Sequence, residues 1–211
     1  MKGIYKFMKS NNKITLSEKL FIGKGRVRKC YVHPDDQDLC IKVATDHKRA
    51  KRSIQREIRY FKRLKKRDTS FAMISQYFHP VQTDEGIGEV YELVRDYDGV
   101  ISKDLRYYLN LGDKKLTGKI LNIIEELRIY LLNEYILFSD LDVENILLQK
   151  VSPTEQRLVV IDGIGDNNQI PFLEYVPALG IKRSIRKWEM FRTQLIEEFS
   201  CTADQIKKFN E

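Results

Sequence analysis

The sequence is poor in the residues that build disulfide frameworks and zinc sites. Its 211 residues include three cysteines and three histidines, with no C-x-x-C pair and no zinc-ligand spacing. No run approaches the ~18 apolar residues of a membrane span, and the basic amino-terminal stretch lacks the apolar segment of a secretory signal. These absences disfavour a secreted disulfide scaffold, and we expect a cytoplasmic protein with reduced thiols.

Positive charge, by contrast, is in excess. Lys and Arg number 37 against 30 Asp and Glu, which gives a formal net charge of +7. This balance favours an anionic partner, and it leaves nucleic acid, a phosphorylated ligand and a membrane surface open. The chain is long enough for one large domain or two small lobes, and its 42% hydrophobic content suffices for a packed core.

The first part of the chain combines strand patterns with one basic helix. Short apolar runs between residues 14 and 43 predict an antiparallel meander, in which residues 30–32 pair with residues 39–43. Residues 48–67 predict a basic helix. Glu57 projects from the apolar face of this helix, and a carboxylate in that position requires a cationic partner from another element.

A boundary between two halves follows the next pair of strands. Residues 74–82 and 87–94 predict strands around a turn, and residues 95–99 then interrupt the strand pattern. We therefore predict an amino-terminal lobe of residues 1–98 and a carboxy-terminal lobe of residues 99–211.

The carboxy-terminal part contains an unusual acidic loop. Residues 116–132 predict a core helix, and FSDLDVENILL follows at residues 138–148. The apolar runs on both sides of the loop predict two short buried strands, residues 135–138 and 146–148, which hold oxygen ligands on a rigid base. A further buried strand, residues 158–162, ends in a carboxylate.

The polar features stand in an order suited to phosphoryl transfer. Transfer from ATP depends mostly on positioning and on charge neutralisation around a triphosphate and its metal ions. Residues with the required chemistry are Gly23, Gly25, Lys42, Glu57, Asp140, Asn145 and Asp162. Their order and spacing resemble the protein-kinase fold. The segments that resemble the small bacterial YrbL family, the PhoP regulatory network protein family, are GKGRVRKCYVHPDD, CIKV, REIRYFKRL, DLDVENILL and VVIDGIGD.

This resemblance covers roughly residues 16–192. It implies an α+β, two-lobed protein-kinase-like fold, with a β-rich amino-terminal lobe and a reduced, mainly helical carboxy-terminal lobe. It also implies ATP and Mg²⁺ as cofactors. The nucleotide-binding residues implied are Gly23, Gly25, Lys42 and, in the hinge segment, Asp96 and Asp98.

The resemblance implies a separate role for each catalytic residue. Lys42 would contact the α- and β-phosphates and pair with Glu57. Asp140 would orient or deprotonate an acceptor hydroxyl, while Asn145 and Asp162 would hold Mg²⁺ across the phosphates.

Four departures from the kinase pattern bear on the substrate. Phe138 and Ser139 replace the His-Arg pair before the catalytic aspartate, so no arginine is present to read a phosphorylated activation loop. Asp142 stands where kinases that act on proteins usually carry a lysine, and Gly163 replaces the aromatic residue of D-F-G. No A-P-E motif is visible, and 49 residues follow Asp162. These departures disfavour a protein acceptor.

We therefore expect an ATP-dependent phosphotransferase that acts on a small or lipid-linked acceptor hydroxyl, for example of a sugar. The alternative is a kinase-like regulatory protein, or a protein kinase, that works through contacts in a bacterial signalling network, and Asp142 favours it. Eleven Lys and Arg lie between residues 48 and 67, but no recognition motif accompanies them, so nucleic acid is not the expected partner.

The basic stretch at residues 182–192 leaves two possibilities open. Ile185, Trp188 and Phe191 recur at three-residue intervals among five Lys and Arg. The apolar stripe either packs within its own domain or rests on an anionic lipid surface, which would be peripheral contact at the inner membrane.

Overall fold

The structure is a computed structural model that describes residues 13–45, 47–165 and 176–199. Within these ranges the protein is α+β with a β-rich amino-terminal region, and this coarse fold class is as predicted. The outer ends of both predicted lobes, and Cys201, lie outside the described residues.

The chain divides into two compact units. The first comprises residues 1–51 and 77–93, and the second comprises residues 52–76 and 94–211. The division assigns most of the basic helix to the second unit.

An antiparallel sheet of five strands forms the first unit. The strands are β1 (Phe21–Lys24), β2 (Arg28–His33), β3 (Asp36–Ala44), β4 (Tyr77–Thr83) and β5 (Gly86–Glu92), in the order β1-β2-β3-β5-β4. Tyr31, Ile41, Val43 and Val90 pack together with Leu16 in its core. Each such side chain contributes about 1.5–3 kcal/mol on full burial.

The two predicted hairpins of this sheet are confirmed. β2 pairs with β3 through Cys30 opposite Lys42 and Val32 opposite Cys40, and the turn lies at Pro34 and Asp35. β4 pairs with β5 across the predicted turn, although both strands end a few residues from their predicted limits.

The basic helix, α1 (His47–Lys66), matches its prediction to within one residue at each end. Tyr60, Phe61 and Leu64 are its most buried side chains. They lie at helical spacing on one face, so the helix is held by packing along this stripe.

Helices and a small antiparallel sheet make up the rest of the second unit. In chain order the elements are β6 (Lys103–Asp104), α2 (Leu105–Asn110), α3 (Lys114–Asn133), β7 (Ile146–Lys150), β8 (Gln156–Val160) and α4 (Pro177–Phe199). The sheet order is β6-β7-β8. Asp104 and Asp113 cap α2 and α3, because their carboxylates accept backbone N–H groups of the first helical turn.

The strand predicted at residues 135–138 is wrong. This segment is buried at Ile136–Phe138 but forms only an isolated bridge between Phe138 and Ile164. The backbone donors are committed elsewhere, since Ile136 N donates to Leu131 O of α3 and Leu137 N donates to the Tyr60 hydroxyl. The end of α3 and the Tyr60 hydroxyl therefore accept the hydrogen bonds that these backbone donors would make in a strand.

Helix α4 carries the basic stretch with the apolar stripe. Trp188 and Phe191 are 4% and 1% exposed, whereas Ile185 is 46% exposed. Packing within the unit, the first of the two possibilities, is confirmed for Trp188 and Phe191. Among the described residues, no helix combines the length and apolarity needed to cross a membrane.

Candidate functional site

Two glycines lie near the end of β1, Gly23 within the strand and Gly25 in the connection to β2. Gly23 lies opposite Cys30, and Gly25 N donates to Arg28 O at 2.8 Å. A β-carbon at Gly23 would meet nothing within 4 Å, and one at Gly25 would meet only Arg28 O at 3.8 Å. Neither glycine has a positive φ. The fold of this unit therefore does not require glycine at either position, which leaves close approach of a ligand to the backbone as a reason for it.

Lys42 lies at the centre of the first unit's sheet. β3 has β2 on one side and β5 on the other, so Lys42 is not on an edge strand. Its side chain is 8% exposed, and Nζ lies 4.4 Å from the centroid of the Tyr91 ring. The ring face stabilises the ammonium charge. Burying a cation on a central strand costs free energy that the fold alone does not require. The position of Lys42 therefore suits a binding role.

Glu89 is the residue opposite Lys42 on β5. It is 6% exposed, and its Oε2 accepts a hydrogen bond from the Tyr77 hydroxyl at 2.9 Å. Directly opposed residues lie on the same face of an antiparallel pair. Sequence reasoning missed Glu89, because its position opposite Lys42 depends on the pairing register of β3 and β5, which only the structure shows.

Glu57 is half-buried on the part of α1 that belongs to the second unit. Lys42 belongs to the first unit, so the predicted ion pair between them stays a prediction.

The predicted hinge residues have structural duties of their own. Asp96 is 7% exposed, and its Oδ1 accepts hydrogen bonds from Ser102 Oγ at 2.6 Å and Lys150 N at 3.0 Å. Asp98 Oδ1 accepts from Val100 N at 3.1 Å. Both side chains thus fix the shape of this loop. Any recognition of adenine by this loop would fall to the backbone, and the nucleotide-binding role of Asp96 and Asp98 stays a prediction.

Two loops of the second unit that carry the other candidate residues are joined by backbone hydrogen bonds. Ser139 N donates to Gly163 O at 2.8 Å, and Gly165 N donates to Leu137 O at 2.7 Å. These bonds flank the bridge between Phe138 and Ile164. The segment that precedes Asp140 is therefore fixed against the segment that follows Asp162.

Gly163 is required by this arrangement. Its φ is +78°, and a β-carbon there would lie 2.0 Å from Asp140 O. Gly163 N also donates to Asp162 Oδ1 at 2.8 Å. An aromatic residue at this position, as in D-F-G, would collide with the backbone of Asp140.

Asn145 ties the first loop together and links it to the second. Its side-chain Nδ2 donates to Asp140 O at 3.4 Å, and its backbone carbonyl oxygen accepts from Ile161 N at 2.9 Å. Asn145 and Asp162 are half-buried, whereas Asp140 is exposed. The structure brings the segments of the three predicted residues together within one unit.

Metal binding would have to rest on few protein ligands. Among the described residues, no cluster of three or more His, Cys, Asp and Glu side chains is arranged to hold a metal ion. Mg²⁺ is usually held by one or two protein oxygens together with phosphate oxygens and water. Asn145 fits that limited set, because its Nδ2 is the donor to Asp140 O and its Oδ1 is left as the ligand atom.

Comparison with known proteins assigns the chain to a family. A family model described as PhoP regulatory network protein YrbL matches residues 14–196. Two relatives named Uncharacterized protein YrbL, from Escherichia coli (strain K12) and Shigella flexneri, are each 32% identical over 183 residues. The match covers 86% of this chain and 87% of each relative. The chain belongs to the YrbL family.

In this YrbL-family chain Asp142 has a structural role. It is the N-cap of the short 3₁₀ turn Val143–Asn145, with Oδ1 accepting from Glu144 N at 3.0 Å. Its Oδ2 accepts from Gln194 Nε2 of α4 at 3.1 Å. An aspartate before a short turn is the sequence signal for this cap.

Arg106 of α2 brings a positive charge to the same loop. Its Nε lies 2.6 Å from Glu144 Oε1, and its Nη2 lies 3.7 Å from Asp142 Oδ1. The side chains of Arg106 and Asp142 are about one-third exposed, so the electrostatic gain is modest. Arg106 of α2 therefore faces two carboxylates and offsets the charge of Asp142 only in part.

Proposed function

We propose that this YrbL-family chain is an ATP-dependent phosphotransferase with a two-lobed, protein-kinase-like fold. One observation supports this above the others: the segments that carry Asp140, Asn145 and Asp162 are held together by hydrogen bonds within one unit. Catalysis of phosphoryl transfer is mostly positioning and electrostatics, and such a scaffold supplies fixed positions for an acceptor-orienting carboxylate and two oxygen ligands.

Each candidate residue has a role in this proposal. Backbone amides near Gly23 and Gly25 would approach the phosphates, and Lys42 would neutralise their charge. Asp140, which is exposed, would hold the acceptor hydroxyl and take up its proton. Asn145 and Asp162 would hold Mg²⁺, which when bound would neutralise charge on the phosphate oxygens.

A small or lipid-linked acceptor fits the second unit better than a protein segment. Kinases that act on proteins read a phosphorylated activation loop through an arginine, and Phe138 and Ser139 stand at that place, both buried. Gly163, moreover, is bound tightly to the catalytic segment rather than carrying a mobile aromatic side chain. A peripheral contact with anionic membrane through basic side chains remains part of this proposal.

The second candidate function is that of a kinase-like regulatory protein that works by contact, and Asp142 favours it. Its carboxylate brings negative charge to the place where kinases that act on proteins use a lysine. Arg106 offsets part of this charge, and for that reason we rank the enzyme first.

Phosphate transfer from labelled ATP tests the proposal. The wild-type chain, Asp140→Asn and the exposed control Asp113→Asn are incubated with Mg²⁺, labelled ATP and either lipid-linked and phosphorylated sugar extracts or a panel of proteins. We expect labelled extract with wild type and Asp113→Asn, and a loss of ~10²–10⁴-fold with Asp140→Asn. Label on protein side chains alone would contradict the proposed acceptor, and no transfer to either would favour the regulatory protein.

A further inference from the structure

We propose that the second unit binds a small amphipathic anion, of the class of medium-chain carboxylates, in a cavity behind the Asp140 segment. The cavity has a volume of about 310 Å³. This is at the lower end of the ~300–1,000 Å³ range of small-molecule sites, so it suits a ligand of modest size.

The cavity is lined by side chains of three helical regions and the segment after α3. Leu132, Leu137 and Ile181 represent its apolar wall, and Tyr60, Arg67 and Ser184 contribute polar atoms. An apolar wall with a few polar groups is the usual composition of a ligand site, because burial gives affinity and polar groups fix orientation.

Arg67 determines the charge of the ligand. It alone is charged among the described residues that line the cavity. Its Nη2 donates to Glu134 O and to Thr69 Oγ1. Within the part of the chain that the structure describes, Nη1 and Nε make no hydrogen bond, so both can donate to an anion in the cavity. The nearby Glu134 carboxylate is engaged by Ser70 N at 3.2 Å. A carboxylate is therefore the complementary head group for this apolar space.

Tyr60 connects the cavity to the candidate catalytic segments. Its hydroxyl accepts from Leu137 N at 2.7 Å and donates to Tyr135 O at 3.4 Å. A β-carbon at Gly165 would lie 3.3 Å from the Tyr60 ring, which shows how closely that segment packs on it. Tyr135 has a positive φ of 50°, so the backbone at the cavity wall is strained. A ligand in the cavity would therefore contact Tyr60 and Leu137 and, through them, could shift residues 137–140 and 163–165.

Octanoate and 1-octanol are the probes for this site, since they share a chain and differ in charge. Binding is measured by calorimetry and by the fluorescence of Trp188, which lies one turn after Ser184 on α4 and is the single tryptophan of the chain. Arg67→Gln removes the proposed anion contact. Lys66→Gln is the matched control, because it removes one charge from the neighbouring, exposed residue that does not line the cavity. Ile181→Trp fills the space.

We expect saturable octanoate binding that Arg67→Gln weakens about tenfold and Lys66→Gln leaves unchanged. Binding of 1-octanol should be unchanged by either of these charge variants. Ile181→Trp, if it melts cooperatively, should bind neither probe; if it does not fold, the Arg67 and Lys66 variants decide. Absence of saturable octanoate binding, or equal weakening by both charge variants, would overturn the proposal. Binding of 1-octanol alone would overturn the assignment of an anion. The readout is independent of ATP, so it stands or falls apart from the proposed phosphotransferase.

Discussion

Glycines in the two units differ in what the fold demands of them. In the first unit, Gly23 has open space where a β-carbon would be, and Gly25 has only a distant carbonyl. In the second unit, Gly163 has a positive φ and no room for a β-carbon beside Asp140 O. Glycine costs about 0.5–1 kcal/mol relative to alanine in a strand, so Gly23 needs a reason outside the fold.

This difference changes how the departures from the kinase pattern are weighed. The glycines that match the pattern are those for which the fold gives no reason, which favours a ligand. The glycine that departs from it, Gly163, has a complete steric explanation within the second unit. Its presence is therefore not an argument against phosphoryl transfer.

The largest expected effect concerns the carboxylates of the second unit. Asp162→Ala should abolish Mg²⁺-dependent nucleotide binding, whereas Asp140→Ala should spare binding and lower turnover by ~10²–10⁴-fold, because the first residue would hold the metal and the second the acceptor. Calorimetry with Mg-ATP and transfer of labelled phosphate separate the two outcomes. If both variants bound Mg-ATP as the wild type does and kept its activity, the roles would be wrongly assigned.

The steric half of the comparison is tested by Gly163→Ala. The new β-carbon would meet Asp140 O at 2.0 Å in a left-handed backbone, so we expect a loss of about 3 kcal/mol in the free energy of unfolding. Gly99→Ala is the matched control, since Gly99 has φ +84° but nothing within 4 Å, and it should cost about 1 kcal/mol. Urea unfolding measures both. Equal losses would show that the contact with Asp140 O is relieved at little cost.

The hinge segment offers a smaller effect. Asp96→Ala removes a buried carboxylate that accepts from Ser102 Oγ and Lys150 N, so the free energy of unfolding should fall by about 2 kcal/mol. Asp98→Ala removes one exposed hydrogen bond and should cost less than about 1 kcal/mol. Thermal melts of the two variants without nucleotide provide the test, and a larger loss for Asp98→Ala would contradict the structural roles of these two carboxylates.

The smallest effect lies at the surface of the first unit. Hydrogen bonds from the Tyr31 hydroxyl and the Lys29 ammonium hold the pKa of Glu85 below its usual value near 4.5. A lowered pKa stabilises the folded state above the unfolded pKa, and this contribution is lost as pH falls through the folded value. Wild type should therefore exceed Glu85→Gln by less than about 1 kcal/mol at pH 7, with the gap closing below pH ~4.5. A gap that stayed the same as the pH fell into the acid range, until the carboxyl is protonated in both the folded and the unfolded state, would contradict the ionic origin.

The regular elements were predictable from residue pattern because their causes are local. The turn at Pro34 set the β2–β3 hairpin, and the spacing of Phe61 and Leu64 set the buried face of α1. The order of candidate site residues was readable for the same reason, since spacing along the chain is a sequence property.

Long-range contacts were beyond the sequence. Nothing in the run at residues 135–138 reveals that Tyr60 takes up the backbone donor of Leu137, and this contact is one reason why no strand forms there. Likewise, Gln194 and Arg106 reach Asp142 from helices distant in the chain, so its neighbours could not be inferred. The cavity beside Tyr60 arises only when α1, α3 and α4 assemble.

Thermal unfolding of the wild type and Gly23→Val with ATP, with and without Mg²⁺, tests the central claim most directly. Valine suits a strand, and its β-carbon would meet nothing within 4 Å at Gly23, so both proteins should melt alike without nucleotide. At a hundred times its dissociation constant, Mg-ATP should stabilise the wild type by ~2.7 kcal/mol and Gly23→Val by much less, because the side chain would occupy the space of the phosphates. No Mg-ATP stabilisation of the wild type, or the same stabilisation of both proteins, would contradict the account.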